Sequence, residues 1–149
     1  MRLLICGGRH FHDAARIDSE LSSLHAATPI RVIIHGGLPG IGAPAEAWAR
    51  RNNVHVIRYP ANFSQGKSGD FTRDRFMLAD SRAEALLAFP GGRRTGELVR
   101  QAITNRLRVM FAQDEPELDL LHRYFKAEAS LNVSKSVPPI DLERQLVMR

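Results

Sequence analysis

The residues best suited to chemistry lie in the segment Pro90-Gly91-Gly92-Arg93-Arg94-Thr95, which follows an apolar run of strand character. Two glycines let the backbone turn sharply, and we expect a helix to begin at Thr95, with Glu97 in its first turn. A helix N-terminus exposes unpaired N–H groups and the positive end of the macrodipole, so this turn could bind phosphate or another anion. Taken alone, the same residues could equally form a plain strand-to-helix turn with solvated arginines.

Two further glycine turns follow apolar runs earlier in the chain. Gly7-Gly8 follows the run at residues 2–6, and His35-Gly36-Gly37 ends the second run and leads on to Gly40 and Gly42. In a parallel sheet the carboxyl ends of the strands share one edge, so we expect the three turns to converge on a single crevice. Three turns at one edge favour a binding site over three unrelated structural turns.

Side chains beside these turns could contact a ligand. Arg9 and Arg73 are the best candidates for phosphate contact, because arginine offers bidentate donors. Phe11 could stack on a base and His35 could contact phosphate or transfer a proton, although for each ring a packed or solvated position is the alternative. The predicted ligand site therefore comprises Gly7, Gly8, Arg9, Phe11, His35, Gly36, Gly37, Gly40, Gly42, Arg73, Pro90, Gly91, Gly92, Arg93, Arg94 and Thr95.

Apolar runs of strand length alternate with helical patterns along the first 112 residues. The strands are expected at 2–6, 30–35, 54–59, 83–89 and 107–112, and the helices at 13–25, 45–51, 71–81 and 98–103. This alternation specifies right-handed crossovers and predicts an α/β, Rossmann-like, doubly wound, mostly parallel sheet of about five strands. A C-terminal helix at 115–131 would complete a single domain at 1–131, and residues 132–149 would form a tail that is extended or a short helix.

Composition places the chain among ordinary globular proteins, since 44% of its 149 residues are hydrophobic and 25% are charged. Its single cysteine, Cys6, allows no internal disulfide and lies in a buried strand pattern, which favours a reducing compartment. No apolar run reaches the length of a signal-peptide core or a membrane span, so we expect a cytoplasmic protein without membrane contact. The net charge of +5 suits nucleotide phosphate or nucleic acid as a partner, although solubility alone would explain it.

Two common nucleotide-binding motifs are missing from the chain. Gly-x-Gly-x-x-Gly does not directly follow the first strand, and Gly66-Lys67-Ser68 lacks the upstream glycine and the preceding strand of a Walker A loop. The spacing of His, Cys, Asp and Glu residues predicts no metal site, and we expect no cofactor.

Taken in order, the motifs resemble a known family. They are Gly7-Gly8-Arg9-x-Phe11-x-Asp13, His35-Gly36-Gly37, Trp48-Ala49, Tyr59-Pro60-Ala61-Asn62, Gly66 with Arg73-Asp74-x-x-Met77, and Ala88-Phe89-Pro90-Gly91-Gly92-Arg93-x-Thr95. Their order and spacing are similar to those of the YspA-like (DUF2493) branch of the SLOG superfamily, over about residues 1–112. That superfamily includes DprA (Smf) and the LOG phosphoribohydrolases, whose Rossmann-like domains bind nucleotides, nucleotide-derived ligands or DNA. The resemblance therefore implies a nucleotide-type ligand and a homo-oligomer.

The LOG phosphoribohydrolases also suggest an enzymatic alternative. By this resemblance Arg73 matches the arginine that acts with a glutamate on the N-glycosidic bond, so Arg73 and Glu97 are the catalytic candidates. The motif departs from those enzymes in two places, because Arg94 replaces a glycine and Leu98 stands at the glutamate position. Glu97 lies one residue away, about 100° around a helix, whereas a correctly placed carboxylate is needed to stabilise the developing positive charge. These departures favour a binder with altered or lost catalysis.

Three functions remain as hypotheses. The leading one is binding, including sensing, of a nucleotide or nucleotide-derived ligand in a glycine-lined crevice at the carboxyl edge of the sheet. The second is phosphoribohydrolase-like cleavage of an N-glycosidic bond, against which Leu98 is the main sequence feature. The third is DprA-like nucleic-acid binding, which requires the arginines to form one contiguous face.

Overall fold

The computed structural model describes residues 1–37, 40–61 and 69–112, without the side chain of Asp70. Strands and helices alternate through these ranges. The strands are β1 (Arg2–Cys6), β2 (Val32–His35), β3 (His55–Arg58), β4 (Ala85–Ala88) and β5 (Arg108–Phe111), and the helices are α1 (Ala14–Ala27), α2 (Gly42–Arg51), α3 (Gly69–Asp80) and α4 (Arg93–Thr104). None of these four helices combines the length and the apolar character that crossing a bilayer requires. The predicted helix at 115–131 and the tail at 132–149 lie outside the described residues, so the domain boundary at 131 stays a prediction.

All five strands pair in parallel in one sheet, in the order β3-β2-β1-β4-β5. Leu4 of β1 aligns with Ile34 of β2 on one side and with Leu86 of β4 on the other. The chain runs outward from β1 through β2 to β3, then returns to the other side of β1 for β4 and β5. The strand order therefore reverses between β1 and β4, and the all-parallel sheet confirms the predicted Rossmann-like α/β fold.

Continuous apolar runs account for the centre of the sheet. Leu3 of β1 is fully buried and all four residues of β4 are buried, as expected for strands that helices cover on both faces. The edge strand β3 instead exposes His55 and Arg58 at its two ends. Trp48 of α2 is fully buried, and its indole N–H donates to the Ser22 hydroxyl of α1 at 2.9 Å. Trp48 is therefore a core residue that joins two helices.

Caps determine where the helices begin and end. Asp13 caps α1 as predicted, since its carboxylate accepts from the Arg16 N–H at 3.0 Å. The prediction that α4 begins at Thr95 is wrong by two residues. The helix begins at Arg93 because the extended backbone of Gly92 serves as the N-cap, and Thr95 lies within the first turn with its side chain buried.

Candidate binding crevice

A crevice opens at the carboxyl edge of the sheet, beside the point where the strand order reverses. Its volume is about 350 Å³, at the lower end of the range for small-molecule pockets. The ends of β1, β2 and β3 and one face each of α3 and α4 form its walls. The lining residues are Ile5, Cys6, Gly7, Arg9, His35, Gly36, Gly37, Ile41, Arg58, Pro60, Ala61, Arg73, Asp74, Met77, Arg94, Thr95 and Leu98.

The turns after β1 and β4 pack directly against each other. The backbone N–H of Gly8 donates to the Pro90 carbonyl oxygen at 2.7 Å. A Cβ atom at Gly91 would overlap Thr95 Oγ1 and lie 2.7 Å from Gly8 N, which no side chain tolerates. Close backbone packing therefore requires glycine here, and the Gly8 N–H is engaged within the protein and not available to a ligand.

Arg73 of α3 ties three segments of the crevice together. Its Nη1 donates to the carbonyl oxygens of Gly36 and Tyr59, the latter at 3.1 Å, and its Nε donates to Asp74 Oδ1. The side chains of Arg73 and Asp74 are only 9% and 6% exposed. A Cβ at Gly36 would lie 2.6 Å from Arg73 Nη1, so the glycine after β2 leaves room for the guanidinium. Arg73 thus holds α3 against the ends of β2 and β3.

His35, the last residue of β2, is held in one tautomer. The Gly37 N–H donates to His35 Nδ1 at 2.9 Å, so the ring proton resides on Nε2, which donates to Glu46 Oε2 at 2.6 Å. The residue is 1% exposed, and burial lowers the pKa of His35 although the hydrogen bond to Glu46 acts in the opposite direction. Both ring nitrogens are used within the protein, so His35 shapes the Gly36-Gly37 turn.

Glu46 of α2 connects His35 to Arg58 of β3. Arg58 Nε donates to Glu46 Oε2 at 2.9 Å and Arg58 Nη2 donates to Oε1 at 2.7 Å. The hydrogen bonds from Arg58 and then from His35 lower the pKa of Glu46 despite its partial burial, and the carboxylate is ionised at neutral pH. This bidentate pair holds the end of β3 against α2 and places Arg58 on the crevice wall.

The buried side of the crevice, which we call its floor, combines a carboxylate with a thiol. Asp74 and Cys6 are 4% and 8% exposed, and they line the crevice beside Ile5 and Met77. Burial, with a further contribution from Asp74, raises the pKa of the Cys6 thiol, which stays protonated and is a poor nucleophile. In the described ranges, no three His, Cys, Asp or Glu side chains group as metal ligands would.

The exposed side of the crevice, which we call its mouth, is basic. Arg9 and Arg94 are exposed and line the crevice from the turn after β1 and from the first turn of α4. No side chain caps α4 at Gly92, and the first N–H groups of a helix have no intrahelical partner. Guanidinium groups and a helix N-terminus together give the mouth a positive potential.

The structure brings half of the predicted ligand residues into the crevice lining: Gly7, Arg9, His35, Gly36, Gly37, Arg73, Arg94 and Thr95. Those that lie outside the lining are Gly8, Gly40, Gly42, Pro90, Gly91, Gly92, Arg93 and Phe11. Phe11 stacks on Phe89 of the core, with ring centroids 5.7 Å apart. Gly40 has a φ of +99°, and a Cβ there would lie 3.1 Å from the Gly8 carbonyl oxygen. Several of the glycines therefore serve chain packing around the crevice.

The two catalytic candidates lie apart. Glu97 pairs with Arg100 three residues along α4, and this hydrogen bond lowers the pKa of Glu97. It is not among the residues that line the crevice. Leu98, which the sequence resemblance aligns with the glutamate of the LOG enzymes, lines the crevice instead. The fold brings Arg73 to the crevice and directs Glu97 elsewhere.

The predicted ligand site did not include Cys6, Arg58 and Asp74, which line the crevice. Cys6 and Arg58 each end a strand at the carboxyl edge, and that position was the available signal. Asp74 directly follows Arg73 on α3, but helical spacing alone does not separate a carboxylate that faces a crevice from a solvated one.

An all-parallel Rossmann-like sheet with a crevice at its switch point defines a class of α/β domains that hold ligands at the carboxyl edge. Residues 1–66, which include β1, β2 and β3, match the family described as "YspA, cpYpsA-related SLOG family" (YAcAr). Over these residues, the match supports the resemblance to the YspA-like branch of the SLOG superfamily that the sequence motifs indicate. The comparison with curated proteins found no match, and neither did the comparison with solved structures.

Proposed function

We propose that the protein binds a nucleotide or a nucleotide-derived small molecule in the crevice at the carboxyl edge of its sheet. The observation that carries the proposal is a crevice of about 350 Å³ at the switch point of a parallel sheet. Ligands of open α/β sheets bind in this position, and the match of residues 1–66 to a SLOG family is consistent with a nucleotide-type ligand.

The charge distribution supports a phosphate-bearing ligand. Arg9, in the turn after β1, and Arg94, in the first turn of α4, both line the crevice. A Cβ at Gly92 would meet nothing within 4 Å, so there is open space in front of this helix N-terminus. Since the N–H groups of Gly8 and Gly37 are engaged within the protein, the phosphate position that we favour is the start of α4.

Binding is favoured over hydrolysis by the residues that line the crevice. The LOG-type glutamate position is occupied by Leu98, which cannot stabilise positive charge, and Glu97 is paired with Arg100 on another side of α4. Arg73 donates hydrogen bonds to two backbone carbonyl oxygens and to Asp74. These contacts give Arg73 a structural task in place of a catalytic one.

A ligand of nucleic-acid size is disfavoured by where the described arginines lie. Arg9, Arg58 and Arg94 are at the carboxyl edge of the sheet, whereas Arg31 and Arg108 are at the amino edge, at the starts of β2 and β5. These exposed arginines are thus divided between the two ends of the sheet, whereas a phosphate backbone requires them on one face.

Isothermal titration calorimetry tests the proposal with nucleoside mono-, di- and triphosphates and ADP-ribose. We expect at least one to bind, and we expect Arg9→Met and Arg94→Met each to weaken that binding by about tenfold. Arg31→Met, which removes an exposed arginine at the amino edge, is the matched control and should leave the affinity unchanged. Folded protein that binds none of these compounds, or that binds them equally in all three variants, would contradict the proposal.

The hydrolase alternative is tested by measuring the release of free base from nucleoside monophosphates. Free base should not accumulate when the protein is incubated with nucleoside monophosphates. Base release that disappears in Glu97→Ala would support the hydrolase instead of the binder.

A further inference from the structure

We propose that Arg58, at the end of β3, contacts the base of the bound nucleotide and selects purines that carry the adjacent acceptors O6 and N7. Guanine and hypoxanthine have both acceptors, whereas adenine has an amino group in place of O6. The inference rests on the proposed function and adds to it the kind of base that the crevice selects.

Arg58 is the exposed donor on the β3 side of the crevice. Its side chain is 47% exposed, whereas that of Arg73 is 9% exposed. The side chains of Pro60 and Ala61, which also line this side, cannot donate hydrogen bonds, and both ring nitrogens of His35 are used within the protein. Among the described lining residues, Arg58 is therefore the side chain that a ligand can reach here for a charged hydrogen bond.

The pairing with Glu46 uses only part of the Arg58 guanidinium group. Arg58 Nε and Nη2 donate to the two Glu46 oxygens at 2.9 and 2.7 Å. A guanidinium group has five N–H donors, so both donors of Nη1 and one of Nη2 are left. One N–H of each of these nitrogens points away from the side chain in parallel. This pair of donors, which we call the end-on edge, has no hydrogen-bond partner among the described residues.

The donor capacity of Arg58 does not depend on pH in the physiological range. Arginine stays protonated in proteins, and the hydrogen bonds to Glu46 raise the pKa of Arg58 further. Glu46 is itself held from the buried side, because it accepts from His35 Nε2 at 2.6 Å. The guanidinium group is therefore fixed before the ligand arrives, and a ligand has less side-chain freedom to remove.

Charge decides which part of a nucleotide contacts Arg58. The Glu46 carboxylate is ionised and paired with Arg58, so the two side chains together are close to neutral. A phosphate is better placed at the mouth, where Arg9 and Arg94 lie beside the start of α4. The neutral base is therefore the part that suits the β3 side.

The geometry of the sheet agrees with this division. β3 lies three places from β4 in the sheet, and at about 4.8 Å between neighbouring strands the ends of β3 and β4 are on the order of 14 Å apart. A single phosphate at the start of α4 cannot reach Arg58 across this distance. A nucleotide that lies along the crevice therefore brings its other end, the base, to Arg58.

The end-on edge of arginine matches a base edge with two adjacent acceptors. Arginine binds guanine O6 and N7 through two N–H groups at once, and such a bidentate contact discriminates against the wrong base by about tenfold or more. Adenine would place its amino group against one of the two Arg58 N–H groups, so that a donor would face a donor. The purine that fits is therefore one with O6 and an unprotonated N7.

A series of purine nucleotides on the unmodified protein tests the selection. Isothermal titration calorimetry compares the 5′-monophosphates of guanosine, inosine, adenosine and 7-deazaguanosine. We expect similar affinities for guanosine and inosine monophosphate, which share O6 and N7 although inosine lacks the 2-amino group. Adenosine and 7-deazaguanosine monophosphate, which lack O6 and N7 respectively, should bind about tenfold more weakly.

Variants then assign the selection to Arg58. Arg58→Lys keeps the positive charge but has no planar pair of donors, and it should bring the affinity ratio between guanosine and adenosine monophosphate close to one. Arg51→Lys is the matched control, because Arg51 is also exposed and paired with a carboxylate, that of Asp18 at 2.6 Å, but does not line the crevice. This control should keep the wild-type ratio. Melting curves check that both variants fold.

The outcomes separate this inference from the proposed function. If no mononucleotide binds, the proposed function fails. If mononucleotides bind but guanosine monophosphate has no advantage over its adenosine and 7-deazaguanosine counterparts, or if Arg58→Lys keeps the advantage, only the present inference fails. If Arg58→Lys does not fold, the nucleotide series on the unmodified protein still decides.

A second phosphate distinguishes a base contact from an anion contact at Arg58. Adenosine 3′,5′-bisphosphate should bind the wild type no more than a few-fold tighter than adenosine 5′-monophosphate. A gain of more than about tenfold that disappears in Arg58→Lys would assign the end-on edge to an anion and overturn the selection of a base.

Discussion

Arg73, which the sequence resemblance aligns with a catalytic arginine of the LOG phosphoribohydrolases, makes hydrogen bonds that join α3 to the ends of β2 and β3. The motif that contains Arg73 could be recognised in the sequence. The hydrogen-bond partners of Arg73 could not be predicted, because the carbonyl oxygens of Gly36 and Tyr59 come close only once β2 and β3 have paired. The role of a charged side chain thus depends on contacts between segments that are distant in the chain.

Replacing Arg73 should cost more stability than replacing an exposed arginine of the same helix. Arg73→Met removes the hydrogen bonds to Gly36 and Tyr59 and leaves the Asp74 carboxylate buried without this partner. Losing one member of a buried pair costs about 3 kcal/mol, and we expect the free energy of unfolding from urea titration to fall by that order. Arg75→Met, two residues along α3 at an exposed position, should change it by less than about 0.5 kcal/mol. Equal losses in the two variants would refute the structural role.

His35 should make stability depend on pH just below neutrality. Burial lowers the pKa of His35 in the folded protein from its ordinary value of 6.5, so below that pH the unfolded chain binds more protons than the folded one. The contribution of His35 is therefore complete above about pH 6.5 and is lost progressively as the pH falls toward the folded pKa. The pKa of Glu46 is also lowered, by Arg58 first, so this carboxylate stays ionised through the window.

Denaturant titrations near pH 7.5 and near pH 5.5 measure this effect. The wild type should lose more unfolding free energy between them than His35→Asn, which keeps an oxygen near the Gly37 N–H but does not titrate. His55→Asn, at an exposed position, should keep the wild-type dependence. The same slope in wild type and His35→Asn would exclude His35 as the source.

At the scale of elements, local patterns predicted most of the fold. Every described strand and helix lies where an apolar run or a helical spacing placed it, with ends that differ by a few residues. The start of α4 shows why the ends are harder to predict. Thr95 has the residue type of an N-cap, but its side chain is buried against Gly91, so the chain begins the helix two residues earlier at a glycine cap. Burial of the Thr95 side chain therefore outweighed the preference of threonine for the N-cap position.

The end of α4 offers a stability test. Arg106 has a φ of +64°, its N–H donates to the Ile103 carbonyl oxygen, and the Leu107 N–H donates to that of Ala102, both at 2.9 Å. These are the two bonds of a Schellman motif, whose left-handed residue is best supplied by glycine. Arg106→Gly should therefore be about 1 kcal/mol more stable than Arg106→Ala in thermal or urea unfolding. The comparison at one site removes the contribution of the arginine side chain. An alanine variant as stable as the glycine variant would show that the positive φ carries no cost.

At the scale of the whole molecule, the two halves of the sheet meet where β1 lies beside β4, and the turns that follow these strands touch. The sequence predicted that glycine turns would converge at this edge. It could not separate the glycines that contact each other from those that face open space, because that depends on the packing of Gly8, Gly91 and Thr95 across 80 or more residues of chain. The sequence also could not predict that Arg9 and Arg94 lie at the same crevice mouth, because they come together only when the sheet has formed.

Two adjacent glycines make this distinction measurable. A Cβ at Gly91 would overlap Thr95 Oγ1 and lie 2.7 Å from Gly8 N, whereas a Cβ at Gly92 would meet nothing within 4 Å and the φ of Gly92 is −95°. Gly91→Ala must therefore separate the turns after β1 and β4 and should cost about 2–3 kcal/mol. Gly92→Ala should cost less than about 1 kcal/mol, the difference between two N-cap residues. Urea unfolding of Gly91→Ala and Gly92→Ala measures the two losses of unfolding free energy. Similar losses in the two variants would mean that the contact between the turns after β1 and β4 does not hold the halves of the sheet together.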